Sequence, residues 1–388
     1  MGNTPTAGGW RAVELLSWAH FLNDGAANYL PGVLPAILAA LVLPLREAGV
    51  IMGILIAFQA LQPFSGFLAD RHGARFMILA GLAGSSAGAA WIGWASSANS
   101  LIAALVLIGI CNTLFHPPSL AAVRRLGAGG GEHATALFLV GGEIGRGAWP
   151  LLAGILVTAW GLHALWVLAL AAIPTLGVLW MRLPLPAPVP ARAGVWKALR
   201  RAGRPLTTVI AYSALRSCLL VGVSTFVPLL WRARGGSLVG GAGLITTMLV
   251  VGIAGNLGAP FLAKRWGRKA VVVIASFASC ALLAAFLLSG GAWLWITMAL
   301  LGIAVFATLP LTVVMGQDLL PQQPSLGSGF ALGFSNAIGA GIVALLGLLA
   351  PVWGASGVLW TIVACGVVAL WPAFALPGPA AIRNPSSS

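Results

Sequence analysis

The chain has 388 residues, 59% of them hydrophobic and only 7% charged, with a mean hydropathy of +0.98; a water-soluble protein of this size exposes far more polar surface. The formal net charge of +14 does not mark a nucleic-acid binder, because the bases sit in short breaks between apolar runs. These features point to an all-α polytopic membrane protein, and the lack of period-2 alternation excludes a β-barrel.

Twelve apolar runs follow one another, each about the 20 residues a helix needs to cross a bilayer. Their expected limits are 12–42, 50–69, 76–96, 101–123, 135–158, 164–181, 205–231, 240–263, 270–289, 293–316, 328–350 and 356–376. The first is too long for a signal peptide and is expected to be retained. It carries His20, Asn23 and Asp24 at i, i+3 and i+4, hence on one helical face, with Pro31 and Pro35 beyond them to loosen the helix. Asp24 is a candidate proton carrier; the other reading is a fixed ion pair or an interhelical hydrogen bond. Between spans 2 and 3 stands "GFLADRHGAR", residues 66–75, a charged break in an oily sequence. Span 4 ends in His116, Pro117 and Pro118, where the imidazole can relay a proton or simply pack with a hydrogen bond. Span 5 carries Glu143 and Arg146, an i, i+3 pair among glycines in "GGEIGRG". They can bridge each other, or an anionic substrate can take Arg146 and free Glu143 to protonate.

Residues 182–204 form the longest hydrophilic stretch, Pro-rich and then basic, with "VWKALRR" readable as a short amphipathic helix on the inner leaflet. Span 7 contains Tyr212 and Arg216; aligning Ala19 with Ala211 sets Arg216 opposite Asp24. Charges this deep cost roughly 2.5–3.5 kcal/mol each on insertion scales and so need a reason. Asp24, Glu143, Arg146 and Arg216 are the four such residues. Gln317 and Asp318 end span 10. The four cysteines all lie in apolar runs without metal-ligand spacing and read as small buried residues.

Two halves emerge: a six-helix bundle over 1–181, a cytoplasmic loop over 182–204 and a second six-helix bundle over 205–388. Gly73 and Gly267 fall in the same loop of each half, and Ile144-Gly145 matches Ile338-Gly339 at the same offset, as expected for parallel repeats. With the N-terminus inside, the inner segments hold nearly all Lys and Arg, and the outer loops hold only Arg46, Arg232 and Arg234. That bias sets both termini in the cytoplasm. Tryptophans near span ends, such as Trp91, Trp94 and Trp293, form the interfacial belt.

The loop signature Gly66, Asp70, Arg71, Gly73 and Arg75, with twelve spans and a basic central loop, resembles the major facilitator superfamily. The resemblance implies two pseudo-symmetric six-helix bundles and a conformational latch. Asp70 would face the positive N-terminus of span 11, which opens here as "SLGSG". Gly73 would supply a tight turn. The second-half copy, "PFLAKRWGRK", has Lys264 where Asp70 stands. A narrower resemblance covers much of the chain. "AHFLNDG", "LFHPPSLAAVRR", "VGGEIGRGAWPLLAG" and "GQDLLPQQPSLGSGFALGF" look like the fosmidomycin-resistance branch, a group of drug-efflux transporters. Pro118 stands where that pattern has Glu, and Glu143 and Arg146 stand where it has small or neutral polar residues.

No phosphate-binding G-x-x-x-x-G-K-[ST] loop, no HExxH and no Cys/His metal set is present. No enzyme activity, cofactor or metal is therefore expected, and an ion gradient is the remaining energy source. The expected function is proton-coupled efflux of a small anionic or zwitterionic drug or metabolite by alternating access. A proton-coupled importer of an organic anion is the alternative, and a receptor on the same fold the third. Proton coupling falls to Asp24, Glu143, His20 and His116, and substrate binding to Arg146, Arg216, Asn23 and Tyr212. The expected partners are a small-molecule substrate, protons and the lipid bilayer, with no nucleic acid. The expected state is a monomer in a bacterial-type inner membrane.

Overall fold

The computed structural model describes residues 7–65, 68, 74–126, 131–183, 195–321 and 324–378, and among them there is no strand. Span 1 is α1 (Ala7–Asn28) and α2 (Leu30–Ala40); span 2 is α3 (Glu47–Ala57), running into a 3-10 turn. Spans 3 to 5 are α4 (Arg75–Ile92), α5 (Ala98–Leu126) and α6 (Gly131–Trp160), and span 6 is a 3-10 stretch leading into α7 (Ala172–Arg182). Spans 7 to 9 are α8 (Val195–Ala233), α9 (Leu238–Trp266) and α10 (Arg268–Leu288). Span 10 is α11 (Trp293–Ala307) with α12 (Leu309–Leu319). Span 11 is α13 (Pro324–Gly329), a π-helical turn (Phe330–Phe334) and α14 (Ser335–Gly347), and span 12 is α15 (Ala350–Phe374). The breaks at Tyr29 and Thr308 each lie two residues before a proline, whose ring removes a helical hydrogen bond.

Among the described residues ten helices are long and apolar enough to cross a membrane. The helices of spans 1 and 5 are not among them. Their polar content explains this: α1 contains Arg11, Glu14, His20, Asn23 and Asp24, and α6 contains Glu132, Glu143 and Arg146. "VWKALRR" is helical as expected and continues into span 7 across a kink at Gly203. Leu199 on it packs against the core of the second unit.

The chain divides into two compact units, Met1–Val42 with Leu61–Ala191, and Leu43–Ala60 with Arg192–Ser388. In the first, α1 lies along α6 and α4 along α5. Glycine sets the α1–α6 distance. A Cβ at Gly141 or Gly145 would run into the carbonyl oxygens of Ser17 or Phe21, so these helices meet backbone to backbone. Tyr29, buried at the break in span 1, donates its hydroxyl to the Ala89 carbonyl of α4 at 2.6 Å.

In the second unit, α8 packs against α14 and α15, and α9 against α11. The first half of span 2 belongs here. Gly49 and Gly53 form a small-residue stripe against Val343 and Ala344 of α14, the spacing that lets membrane helices approach closely. Gly267, the repeat partner of Gly73, ends α9 at φ 83°, so this copy of the signature loop does use a left-handed glycine.

Candidate functional site

The first unit gathers its polar residues on three helices. Asp24 lies at the centre, 1% exposed. One oxygen, Oδ2, accepts a hydrogen bond from Arg146 Nη2 at 3.0 Å and lies 3.5 Å from His20 Nε2. The other, Oδ1, lies 2.8 Å from His116 Nε2. Arg146 also reaches Glu143 through Nη1 at 3.5 Å, the i, i+3 bridge expected from sequence. Asn23, fully buried, donates to Asn112 Oδ1 at 2.7 Å and so ties α1 to α5. The i, i+3, i+4 face on span 1 therefore exists, and every member of it is engaged.

Both imidazoles are held by backbone. His20 Nδ1 lies 2.7 Å from the Phe138 carbonyl, and its ring stacks on Phe138 with centroids 4.0 Å apart. His116 Nδ1 lies 2.9 Å from the Asn112 carbonyl one turn back. The proline pair after His116 frees nearby carbonyls, and the one at Thr113 accepts the Ser65 hydroxyl at 2.8 Å. Gly142 leaves the space that the His20 ring fills.

The cluster is open on one side. His116 and Arg146 keep 23% and 27% side-chain exposure, against 1% for Asp24 and 4% for His20. His20, Asp24 and His116 offer donor atoms within 4.8 Å of one another, close enough for a divalent ion. Arg146 puts a permanent positive charge on the same carboxylate, which opposes a doubly charged cation.

Arg216 and Tyr212 belong to the second unit, and the guanidinium beside Asp24 is that of Arg146. Arg216 Nη2 lies 3.5 Å from Asn336 Oδ1, and Asn336 in turn donates to Gln59 Oε1 at 3.2 Å. The Tyr212 hydroxyl meets Ser276 Oγ at 2.8 Å. Both residues line a cavity of ≈ 20 Å³, room for a water but not for an organic solute. At the end of span 10, Gln317 donates to Ser328 Oγ at 2.7 Å and Asp318 bridges Arg268 at 2.6 Å.

Of the expected latch, Gly66, Asp70, Arg71 and Gly73 lie outside the described residues. Arg75 is described. It donates to the carbonyls of Trp180 and Leu183 at 2.8 and 3.1 Å, with its guanidinium over the Trp180 ring. Within its unit it caps the C-terminal end of α7, where a cation suits the helix dipole.

Sequence reasoning did not single out Asn112 or Phe138, and read Gly142 only as one of the glycines beside Glu143 and Arg146. Asn112 had a signal: it precedes His116 by four residues and so shares its face. Phe138 acts through its carbonyl and its ring, and nothing in its residue type announces either.

The Major Facilitator Superfamily profile matches residues 16–344. The chain is 24% identical to the fosmidomycin resistance protein of Escherichia coli (strain K12) over 86% of its length and 85% of that protein's. It is 23% identical to the uncharacterised MFS-type transporter YfnC of Bacillus subtilis (strain 168), over 95% of this chain and 93% of that one. Among solved structures, a bacterial homologue of the human lysosomal transporter Spinster, inward-facing and unoccupied, superposes with a TM-score of 0.80 at 17% identity, covering 98% of both chains.

Proposed function

Because the chain belongs to the major facilitator superfamily, a family of membrane transporters and not of enzymes, we propose that it is a proton-coupled secondary transporter. It moves a small anionic or zwitterionic solute by alternating access. The observation that carries this reading is the Asp24 carboxylate, buried to 1% exposure and enclosed by Arg146, His116 and His20. A purely structural ion pair needs two partners. This one has added two imidazoles, the side chains whose charge changes most readily near neutral pH.

Arg146 is the proposed grip for the solute. Its contact to Glu143, at 3.5 Å, is looser than its contact to Asp24 at 3.0 Å, and Glu143 Oε2 is buried without a partner. An incoming carboxylate or phosphonate displaces Glu143 first, because guanidinium binds such groups through two parallel hydrogen bonds. Arg216 is the corresponding cation of the second unit. Efflux is favoured over import by the likeness to a protein named for fosmidomycin resistance. The proposed setting is the inner membrane of a bacterium with both termini cytoplasmic, on the Lys and Arg bias. The proposed Asp70 latch adds a closure on the cytoplasmic side.

The test is flux in proteoliposomes under an imposed pH gradient. The panel holds fosmidomycin, other phosphonates and carboxylates, zwitterions and monovalent organic cations. Uphill movement of an anion or zwitterion with proton counterflow is expected. Flux indifferent to the pH gradient defeats the coupling, and a preference for cations defeats the solute class.

A further inference from the structure

We propose that the transferable proton of this site is held by the two histidines jointly, as a single proton between His20 Nε2 and His116 Nε2. In this assignment Asp24 stays ionised as its fixed counter-charge. The proposal deepens the coupling reading above and rests on it for the role in the cycle, but the proton count stands on geometry alone.

Both Nδ1 atoms lie within hydrogen-bond distance of a backbone carbonyl, 2.7 Å for His20 and 2.9 Å for His116. A carbonyl oxygen only accepts, so each Nδ1 must carry the hydrogen and donate it. Each neutral ring then has a bare lone pair at Nε2. The two Nε2 atoms are 3.2 Å apart, and that of His116 is also 2.8 Å from Asp24 Oδ1.

With no further proton, two imidazole lone pairs and a carboxylate would face one another. With two, each N–H would have an Asp24 oxygen, but at only 3.5 Å for His20, the two N–H groups would crowd each other across 3.2 Å, and three cations would surround one carboxylate. One proton suits the arrangement best: on His116 Nε2 it is donated to Asp24 Oδ1 at 2.8 Å, and the His20 Nε2 lone pair, 3.2 Å away, is near enough to take it over. Placed instead on the Asp24 carboxyl, it would leave the two Nε2 lone pairs opposed. That position would also give up the charge that Arg146 Nη2 bonds at 3.0 Å.

The titratable and charged groups facing the pair are Asp24 on α1 and Glu143 and Arg146 on α6, among the described residues. Counted with one proton on the histidines, the cluster carries two negative and two positive charges. Releasing that proton leaves it at minus one and sets the two Nε2 lone pairs against each other. The His20 ring is tied to the Phe138 carbonyl of α6 and the His116 ring to its own helix α5. Release therefore pushes α5 away from the α1–α6 pair, linking the proton to a helix movement.

The experiment needs no knowledge of the solute. The full-length protein, labelled with ¹⁵N in histidine and ¹³C in aspartate carboxyls, is titrated by NMR in phospholipid nanodiscs. His20 and His116 are assigned through His20→Gln and His116→Gln. Both Nδ1 resonances should be protonated throughout. The two Nε2 resonances should shift together as one proton leaves, and the Asp24 carboxyl should read ionised on both sides of that step. His116→Gln should abolish the step. A bare Nδ1 on either ring, two separate histidine steps, or a titrating Asp24 carboxyl with silent imidazoles overturns the assignment, and all three are read in wild-type protein once the two variants have assigned its signals. Wild-type protein that passes this test but moves solutes regardless of the pH gradient fails the transport reading, not this one.

Discussion

Gly142→Ala asks how tightly the His20 ring is held. A Cβ at position 142 would lie 2.5 Å from His20 Nε2 and 2.7 Å from Nδ1, where ordinary contact begins at 3.4 Å. The ring must retreat by roughly 1 Å, the order of shift that overpacking forces on a filled interior. It has no free direction: it stacks on Phe138 on one face, its Nδ1 is bonded to the Phe138 carbonyl, and its Nε2 faces His116. Overpacking costs about 1–3 kcal/mol, and spoiling a buried hydrogen bond adds about 1 kcal/mol. The sum, about 2–4 kcal/mol, corresponds to more than a tenfold loss at about 1.4 kcal/mol per decade. Scanning fluorimetry in detergent should record a lower melting temperature, and pH-driven flux should fall at least tenfold. Gly177→Ala on α7 is the control, because nothing lies within 4 Å of a Cβ there, and it should match wild type in both measurements. Wild-type melting and flux in Gly142→Ala would refute the claim that this glycine positions the imidazole.

Asp24→Asn removes the charge that Arg146 and His116 share and leaves Arg146 with Glu143 at 3.5 Å; the loss stays below that of a buried pair broken outright, about 3–5 kcal/mol, because Arg146 keeps that second carboxylate. Melting should drop accordingly and pH-driven flux should vanish. Adding Arg146→Gln should lower melting further, because it strands the Glu143 carboxylate, and full pH-driven flux in Asp24→Asn alone would end the role of Asp24 in coupling. Arg146→Lys replaces two nitrogens, one on Asp24 and one on Glu143, with a single ammonium. If Arg146 grips the solute, apparent affinity should fall more than tenfold with a modest change in melting, whereas a fall in melting with affinity intact assigns it to bridging alone. Asp70→Asn should reduce flux and raise the labelling of cysteines introduced at the cytoplasmic gate, and unchanged labelling with normal flux discards the latch.

Much of the architecture could be read from residue order, because in lipid each span must satisfy its own backbone and announces itself as an apolar run. The breaks at Tyr29 and Thr308 follow from Pro31 and Pro310. The face of His20, Asn23 and Asp24 followed from helical periodicity, and the Glu143–Arg146 bridge from i, i+3 spacing. The partner of Asp24 did not follow. Arg146 lies 122 positions further on, and repeat alignment set Arg216 opposite Asp24 instead. What selects Arg146 is the close approach of α1 and α6, which depends on Gly141 and Gly145 fitting over two carbonyls. That is packing information, written in absent side chains. The Nδ1 anchors were equally hidden, because a carbonyl partner leaves no trace in residue type.

The neutralisation of Asp24 by Arg146 also governs how the chain is made. Span 1 leaves the ribosome long before span 5, so an uncompensated carboxylate reaches the insertion machinery with its counter-charge still unsynthesised. A helix carrying such a group partitions poorly into lipid by itself. The arrival of α6, which brings the counter-charge, therefore favours the settling of the first span in lipid. Nascent chains truncated before Arg146 would be substrates for quality control, and those extended just past it would be the first able to settle in the bilayer. The charge cluster thus ties the stability of the first span in lipid to the presence of the fifth.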